Sequence, residues 1–233
     1  MSEPMLCIAH RGGQGPENSL AAIRHSLALG VSAIEIDVWQ LHGELWVTHD
    51  RRLGRDLAGE GALENLSPQA LSALRRSNGE PLLTLKTVLE EVGERALLNI
   101  ELKGPDCVPA LSQLLTAHCQ DWQQGMEHYV VSSFDHQQLL QLSATLPHVR
   151  RGALIYGVPS NYAACAKALG AYSLNASLDF LPAELVADAR RRGLKVWVYT
   201  ANHEDDWEHL MEMGVDGVFT DEPTQLLNSG LGR

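Results

Sequence analysis

Strand-like and helix-like segments alternate along this chain from end to end, and that alternation limits its fold more than any other property. LCIAH (Leu6 to His10) is a short apolar run closed by RGG. ENSLAAIRHSLALG then sets Leu20, Ile23 and Leu27 at helical spacing before Gly30 stops the helix. A strand over Ala33–Trp39 with its hairpin comes next, then a helix over Leu83–Val92, a strand over Leu97–Leu102 and a helix over about Val108–His118. Further strands are expected at Tyr129–Ser132, Ala153–Tyr156, Tyr172–Asn175, Lys195–Tyr199 and Gly217–Thr220, separated by helical patterns such as QQLLQLSATL and EDDWEHLMEMG. With the hairpin arms counted once, there are eight strand–helix units. Helices between successive strands imply a parallel sheet, and eight repeats point to a closed (β/α)8 barrel, the TIM barrel, rather than an open sheet. A length of 233 residues suits one such domain, spanning 1–233.

One segment breaks the rhythm. Arg51 to about Pro81 (about 51–81) is too long for an ordinary strand–helix loop, and segments of that length carry structure or function of their own. SPQALSAL reads as a short helix capped by Ser67 with Pro68 in its first turn. Because the segment leaves just after His49, it is expected to cap the barrel mouth; the alternative is a surface excursion without a role.

The second strand carries the most unusual pattern. With a side-chain period of two, Glu35 and Asp37 share one face and Ile34, Ile36 and Val38 the other. Two carboxylates on a buried face repel and lose hydration, so a metal or side-chain cation must sit with them. His42-Gly43 reads as a tight turn, after which LWVT returns to His49. LLNIELK repeats the alternation, with Asn99, Glu101 and Lys103 on one face. Catalytic groups of barrel enzymes lie at the C-terminal strand ends, where His10, Arg11, Glu35, Asp37, His49, Glu101 and Lys103 all fall. So many ionisable groups carry a burial cost that packing alone would not retain. Oxygen ligands from Glu35, Asp37 and Glu101, without cysteine, favour Mg²⁺ or Ca²⁺ over zinc. Arg11 matches a phosphate fork, Gly12-Gly13 allow close backbone approach to a ligand, and two histidines offer a general base and a general acid. The set suits phosphoryl chemistry.

Composition narrows the partners. With 18 basic against 29 acidic residues the formal charge is −11, which argues against nucleic acid or an anionic membrane surface. No run of 18 apolar residues is present, and a first strand beginning by about Leu6 leaves no room for a signal peptide, so a cytoplasmic enzyme without membrane insertion is expected. Cys7, Cys107, Cys119 and Cys165 lack CxxC spacing and read as reduced thiols. Asn18 reads equally as a helix cap or a site contact, and Asp50 as an orienter of His49 or the start of the insert. Asp221 reads as a helix cap, and the histidines outside the motifs, His118 and His136 among them, as solvated.

The string HRGG with PENSLAAI, then EIDV, THD, NIELK, SSFD, VYTAN and GVDGVFTDEP in that order resembles the glycerophosphodiester phosphodiesterase family, in its small cytoplasmic bacterial type, over essentially the whole chain. The resemblance implies hydrolysis of a small-molecule glycerophosphodiester to sn-glycerol 3-phosphate and an alcohol, with one divalent metal ion. By position, His10 and His49 resemble the family's acid–base pair, Glu35, Asp37 and Glu101 its metal ligands, and Arg11 and Lys103 its phosphate contacts. The segment after His49 resembles its small capping insertion. Tyr199 stands where many members have tryptophan, and the hairpin between Asp37 and His49 is one residue shorter than the usual pattern. Two other activities compete. A lysophospholipid-directed phosphodiesterase would need a greasy groove, for which the sequence offers no exposed apolar insert. A barrel that only binds glycerophosphodiesters would not need both histidines.

Overall fold

In the computed structural model, which describes residues 3–122 and 125–233, parallel strands close into a ring. In chain order the strands are β1 (Leu6–Ala9), β2 (Ala33–Leu41), β3 (Glu44–Val47), β4 (Leu83–Thr84), β5 (Leu97–Leu102), β6 (Tyr129–Ser133), β7 (Arg150–Ile155), β8 (Ser173–Ser177), β9 (Lys195–Tyr199) and β10 (Gly217–Thr220). Going round the barrel, β1 pairs with β2, β2 with β5, each later strand with the next, and β10 with β1. The arms β3 and β4 are antiparallel and extend outward from β2, so the eight-stranded parallel barrel predicted from the alternation is what forms. At the hairpin tip His42 and Gly43 both take positive φ (55° and 82°), the pairing that matches the twist of a two-residue turn.

The helices are α1 (Leu20–Leu29), α2 (Pro68–Ala73) in the insert, and α3 (Leu85–Val92), α4 (Cys107–Trp122), α5 (His136–Thr145), α6 (Ala164–Ala168), α7 (Ala183–Arg191), α8 (Glu204–Glu212) and α9 (Pro223–Ser229). Local chemistry sets their ends. The Ala22 amide donates to the Ser19 hydroxyl at the start of α1, and Gly30 closes that helix at φ 77°. Glu204, Asp205 and Asp206 complement the helix dipole in the first turn of α8. The helix expected over Leu83–Val92 begins only at Leu85. Leu83 pairs with Val47 in the sheet, and the Thr84 hydroxyl accepts from the Thr87 amide as a cap, so the two residues are used as an edge strand.

Apolar side chains divide by parity. Ile34, Ile36, Val38, Leu98 and Ile100 point outward into the main core beneath the helices. Ile8, Ala33, Val130, Trp197 and Phe219 fill the barrel interior as a separate cluster, with Trp197 edge-on to Phe219 (centroids 6.1 Å apart) and to Tyr172 (5.8 Å). This plug is the floor on which inward-facing residues nearer the C-terminal strand ends rest. Burial also pushes the Cys7 thiol up to about 12, in keeping with four free cysteines among the described residues.

The insert has a core of its own. Leu57, Leu63 and Leu71 bury with Leu41 and Trp46 of the hairpin and Leu82, and Trp39 packs against them. The short helix α2 is capped by Ser67 and carries Pro68 in its first turn, as the sequence predicts. Glu80 turns back to accept from the Leu20 and Ala21 amides at the N-terminus of α1. Arg76 is buried (2% exposed); it pairs with Asp56 and donates through Nη2 to the Val47 carbonyl at 2.6 Å. Removing one partner of a buried pair leaves an uncompensated charge, so Arg76→Ala should lower unfolding free energy by about 3–5 kcal/mol in urea denaturation, whereas Arg51→Ala, at an exposed pair with Glu64, should change it by less than about 1 kcal/mol.

Candidate active site

Glu35 and Asp37 lie on the inward face of β2, and the parallel register sets Asp37 beside Glu101 of β5. Ligand oxygens of Glu35, Asp37 and Glu101 all fall within 4.8 Å of one another. Glu35 is buried, accepts from the Arg11 amide at 2.8 Å through Oε2, and keeps Oε1 without a hydrogen-bond partner among the described residues. Asp37 accepts from Asn18 Nδ2 at 2.9 Å and lies 3.4 Å from Arg11 Nε, while Glu101 accepts from Lys103 Nζ at 2.8 Å. Burial, then the charges of Asp37 and Glu101, push the Glu35 carboxyl well above the usual range; burial and Asp37 raise Glu101 as well. A compact set of carboxylate oxygens, one of them orphaned and two resisting ionisation, fits a divalent cation at this point.

Two histidines flank the cluster. His10 follows β1 in a single helical turn and donates from Nδ1 to Asp221 Oδ1 at 2.8 Å. His49 follows β3 and donates from Nδ1 to Asp50 Oδ1 at 2.7 Å. Both aspartates are ionised acceptors. Burial works against the charge of each, yet bonds from His10 and Asn202 hold Asp221 below its ordinary range, and bonds from Arg55 and His49 do the same for Asp50. With Nδ1 holding a proton for its carboxylate, Nε2 of each ring is the atom left for proton transfer. Burial lowers the His49 value, a tendency that Asp37 and Asp50 only partly oppose.

The cations complete the geometry. Arg11 sits at φ 52° within the HRGG turn, its amide on Glu35 and Nη1 donating to Glu17 at 2.8 Å. The two glycines serve packing as well as any ligand. A Cβ on Gly13 would lie 2.7 Å from Ser26 Oγ and 2.9 Å from Pro223 Cγ, so only glycine lets this turn press against α1 and α9. Burial opposes the charge of Lys103, but Glu101 and Asp37 outweigh it and raise its value, and the ammonium stands 5.8 Å over the Phe134 ring.

His10, Arg11, Glu35, His49, Glu101 and Lys103 line one cavity of about 170 Å³. Ser132, Phe134, Leu154, Tyr199, Thr200 and Phe219 form its remaining wall, the Tyr199 hydroxyl donating to the Ile155 carbonyl at 2.7 Å. A second groove, about 520 Å³, opens beside His10 and Arg11 and is bounded by Arg55, Asp56 and Ser77 of the insert, which therefore reaches the mouth. A third, about 480 Å³, shares Phe134 and Leu154 with the cavity and is lined by Tyr156, Val158 and Pro159. Phe134, Tyr156 and Val158 are exposed, an apolar flank the sequence does not advertise because it comes from three separate loop positions.

The readings of Asp221, His118 and His136 change, and the open alternative at Asn18 is resolved. Asp221 does not cap α9, whose flanking residue is Glu222; it holds His10. Asn18 is a site contact, since Ser19 caps α1 and Asn18 takes φ 56° to bond Asp37 by both amide atoms. His118 is buried rather than solvated, edge-on to Tyr129, and His136 is tied by Nε2 to the Leu154 carbonyl.

Two histidines, two cations and a carboxylate cluster gathered at the C-terminal ends of barrel strands form the arrangement of a (β/α)8 enzyme. The sequence model described as the glycerophosphoryl diester phosphodiesterase family matches residues 10–225, and the chain belongs to that family. It is 32% identical to a glycerophosphodiester phosphodiesterase of Caldanaerobacter subterraneus, across 96% of each chain. A glycerophosphodiester phosphodiesterase of Bacillus subtilis is 27% identical over 94% of this chain and 84% of its own. Among solved structures, an Oleispira antarctica phosphodiesterase in complex with the product sn-glycerol-3-phosphate superposes with a TM-score of 0.88 at 28% identity, covering 97% of this chain and 96% of the other.

The raised carboxyls make a signed prediction. Glu35 in the folded, chelated protein holds its proton more tightly than in the unfolded chain. Its contribution to stability is thus full at low pH and is lost as pH rises from the ordinary carboxylate range through the raised value. In chelator, stability relative to Glu35→Gln should fall with rising pH by at most about 1.4 kcal/mol per pH unit, and saturating divalent cation should abolish the slope. Urea melts of both proteins from pH 4 to 8 check this; a difference independent of pH would contradict it.

Proposed function

We propose that the protein hydrolyses glycerophosphodiesters to sn-glycerol 3-phosphate and an alcohol, with His10 and His49 as the acid–base pair. One observation carries the reading: both imidazoles, each with Nδ1 tied to an ionised aspartate, line the same small cavity as Glu35, Glu101, Arg11 and Lys103. The product bound to the Oleispira relative supports the same class of substrate. Glu35, Asp37 and Glu101 would hold Mg²⁺ or Ca²⁺, since all three ligands are carboxylates. When bound, such an ion supplies charge neutralisation and polarisation at the phosphoryl group.

The chain's own groups divide the remaining work. Arg11 and Lys103 draw the phosphate into the cavity, and the apolar wall of Phe134 and Phe219 limits water around it. Among the described residues no hydroxyl or thiol hydrogen-bonds either histidine ring, so a covalent phospho-enzyme has no evident carrier. The substrate's own 2-hydroxyl is then the nearest nucleophile, and such intramolecular attack benefits from effective molarities that reach about 10⁵ M or more. Nε2 of one histidine removes that proton while Nε2 of the other protonates the leaving alcohol. The resulting cyclic 1,2-phosphate is opened by water with the two roles exchanged.

A second reading, hydrolysis of lysophospholipids, has one observation in its favour: the exposed apolar groove of Phe134, Tyr156 and Val158 that adjoins the cavity. A coupled assay for glycerol 3-phosphate over glycerophosphocholine, glycerophosphoethanolamine and glycerophosphoglycerol, beside choline release from lysophosphatidylcholine, separates the two.

Chelation should abolish turnover, and Mg²⁺ or Ca²⁺ should restore it better than Zn²⁺; full activity in metal-free protein would remove the carboxylate cluster from the reaction. His10→Ala and His49→Ala should each lower kcat by roughly 10²–10⁴-fold, and the double variant by less than the product, because the two act as a unit. A 2-deoxy substrate analogue should bind and turn over very slowly. Its brisk hydrolysis would point instead to direct attack by water.

A further inference from the structure

Arg55 belongs to the insert, five residues beyond Asp50 in sequence, yet its guanidinium joins two halves of the site. Nε donates to Asp50 Oδ2 at 2.6 Å, while Asp50 Oδ1 holds His49 Nδ1 at 2.7 Å. On its other side, Nη1 donates to Glu17 Oε2 at 2.9 Å and Nη2 to Glu17 Oε1, a fork-to-carboxylate contact. Glu17 in turn accepts from Arg11 Nη1 at 2.8 Å. The result is an unbroken chain of charge-assisted bonds, Arg11–Glu17–Arg55–Asp50–His49, whose central member is supplied by the insert.

We infer that Arg55 is a positioning residue through which the seating of the insert sets the orientation of both His49 and Arg11. The inference rests on the roles proposed above for those two residues. Two features of the geometry carry it. The guanidinium is planar and forked, so fixing one carboxylate on Nε and another across Nη1 and Nη2 fixes the angle between Asp50 and Glu17; a lysine ammonium, a single point of charge, cannot do this. Asp50 keeps Oδ1 for His49, and Glu17 Oε2 is shared between Arg55 and Arg11, so displacement of the insert would loosen both together. The side chain is 53% exposed, and ion pairs of that kind contribute little to global folding stability. It stands on the rim of the groove that His10, Arg11 and Glu17 also line.

The test is steady-state kinetics with whichever of glycerophosphocholine, glycerophosphoethanolamine and glycerophosphoglycerol turns over fastest, in saturating Mg²⁺, together with thermal melts. Arg55→Ala should lower kcat by about 10- to 100-fold, the scale set by small misplacements of a catalytic group, with an unchanged Tm. Arg55→Lys should recover only part of the loss. Added to Asp50→Ala, the Arg55 substitution should lower kcat by clearly less than it does alone, since its effect on His49 passes through Asp50 and only its effect on Arg11, through Glu17, remains. The control Arg51→Ala removes an exposed ion pair of the insert that touches neither His49 nor Arg11, and should keep normal kcat. Normal kcat in Arg55→Ala, full rescue by lysine, fully additive losses with Asp50→Ala, or an equal loss in Arg51→Ala would each overturn the inference. Measuring His49→Ala alongside keeps the two levels apart. An inactive His49→Ala with a normal Arg55→Ala sinks the positioning role alone, whereas a fully active His49→Ala sinks the proposed reaction and the positioning role with it.

Discussion

The mutual repulsion of Glu35, Asp37 and Glu101 is the constraint on which the rest of the molecule depends. The barrel ladder sets Asp37 directly beside Glu101, and the period of two sets Glu35 one step below on the same face. Strands locked on both edges cannot turn these side chains away. Two unit charges about 5 Å apart repel by roughly 3 kcal/mol even at an effective dielectric of 20, so the site demands positive charge from whatever surrounds it. The HRGG turn answers with the Arg11 amide and guanidinium, β5 answers with Lys103, and an orphaned Glu35 oxygen leaves room for a further cation. The order of residues in the loops around the mouth follows from that demand.

Outside this cluster the polar groups work in pairs. Each proposed proton-transfer histidine rests on a carboxylate, and each carboxylate rests on a further donor, Asn202 for Asp221 and Arg55 for Asp50. The two supports differ in kind. Asn202 and Asp221 both follow barrel strands, and Asn202 Oδ1 accepts from the Thr220 hydroxyl and the Asp221 amide, so His10 is held by the barrel itself. His49 is held through the hairpin and the insert, which stand outside the ring of parallel strands.

The fold was legible because a barrel is specified by repetition. Each apolar run between helical patterns is a local signal, and eight of them exclude most other arrangements. The inward carboxylates were legible for the same reason, since parity along EIDV and NIEL needs no tertiary information. What escaped was pairing across distance. Asp221 stands 211 residues from His10, and nothing in the run of residues after β10 distinguishes a helix cap from a histidine partner. Arg55 lies in a segment without periodicity, where its reach to Glu17 depends on how the insert's own leucines pack. The apolar flank formed by Phe134, Tyr156 and Val158 was hidden likewise, since the loops after β6 and β7 become neighbours only when those two strands pair.

The separate leucine cluster of the insert has an evolutionary consequence. Its contacts are with itself and with one face of the hairpin, while the barrel's stability resides in a different cluster beneath the helices. Apart from the polar ties that Arg55, Arg76 and Glu80 make outside it, variation inside the insert is therefore buffered from the scaffold. Ser77, which borders the groove beside His10, can drift under selection while the eight strands stay unperturbed. A lineage could exchange this module to suit a new leaving group and leave the charged floor of the barrel as it was inherited.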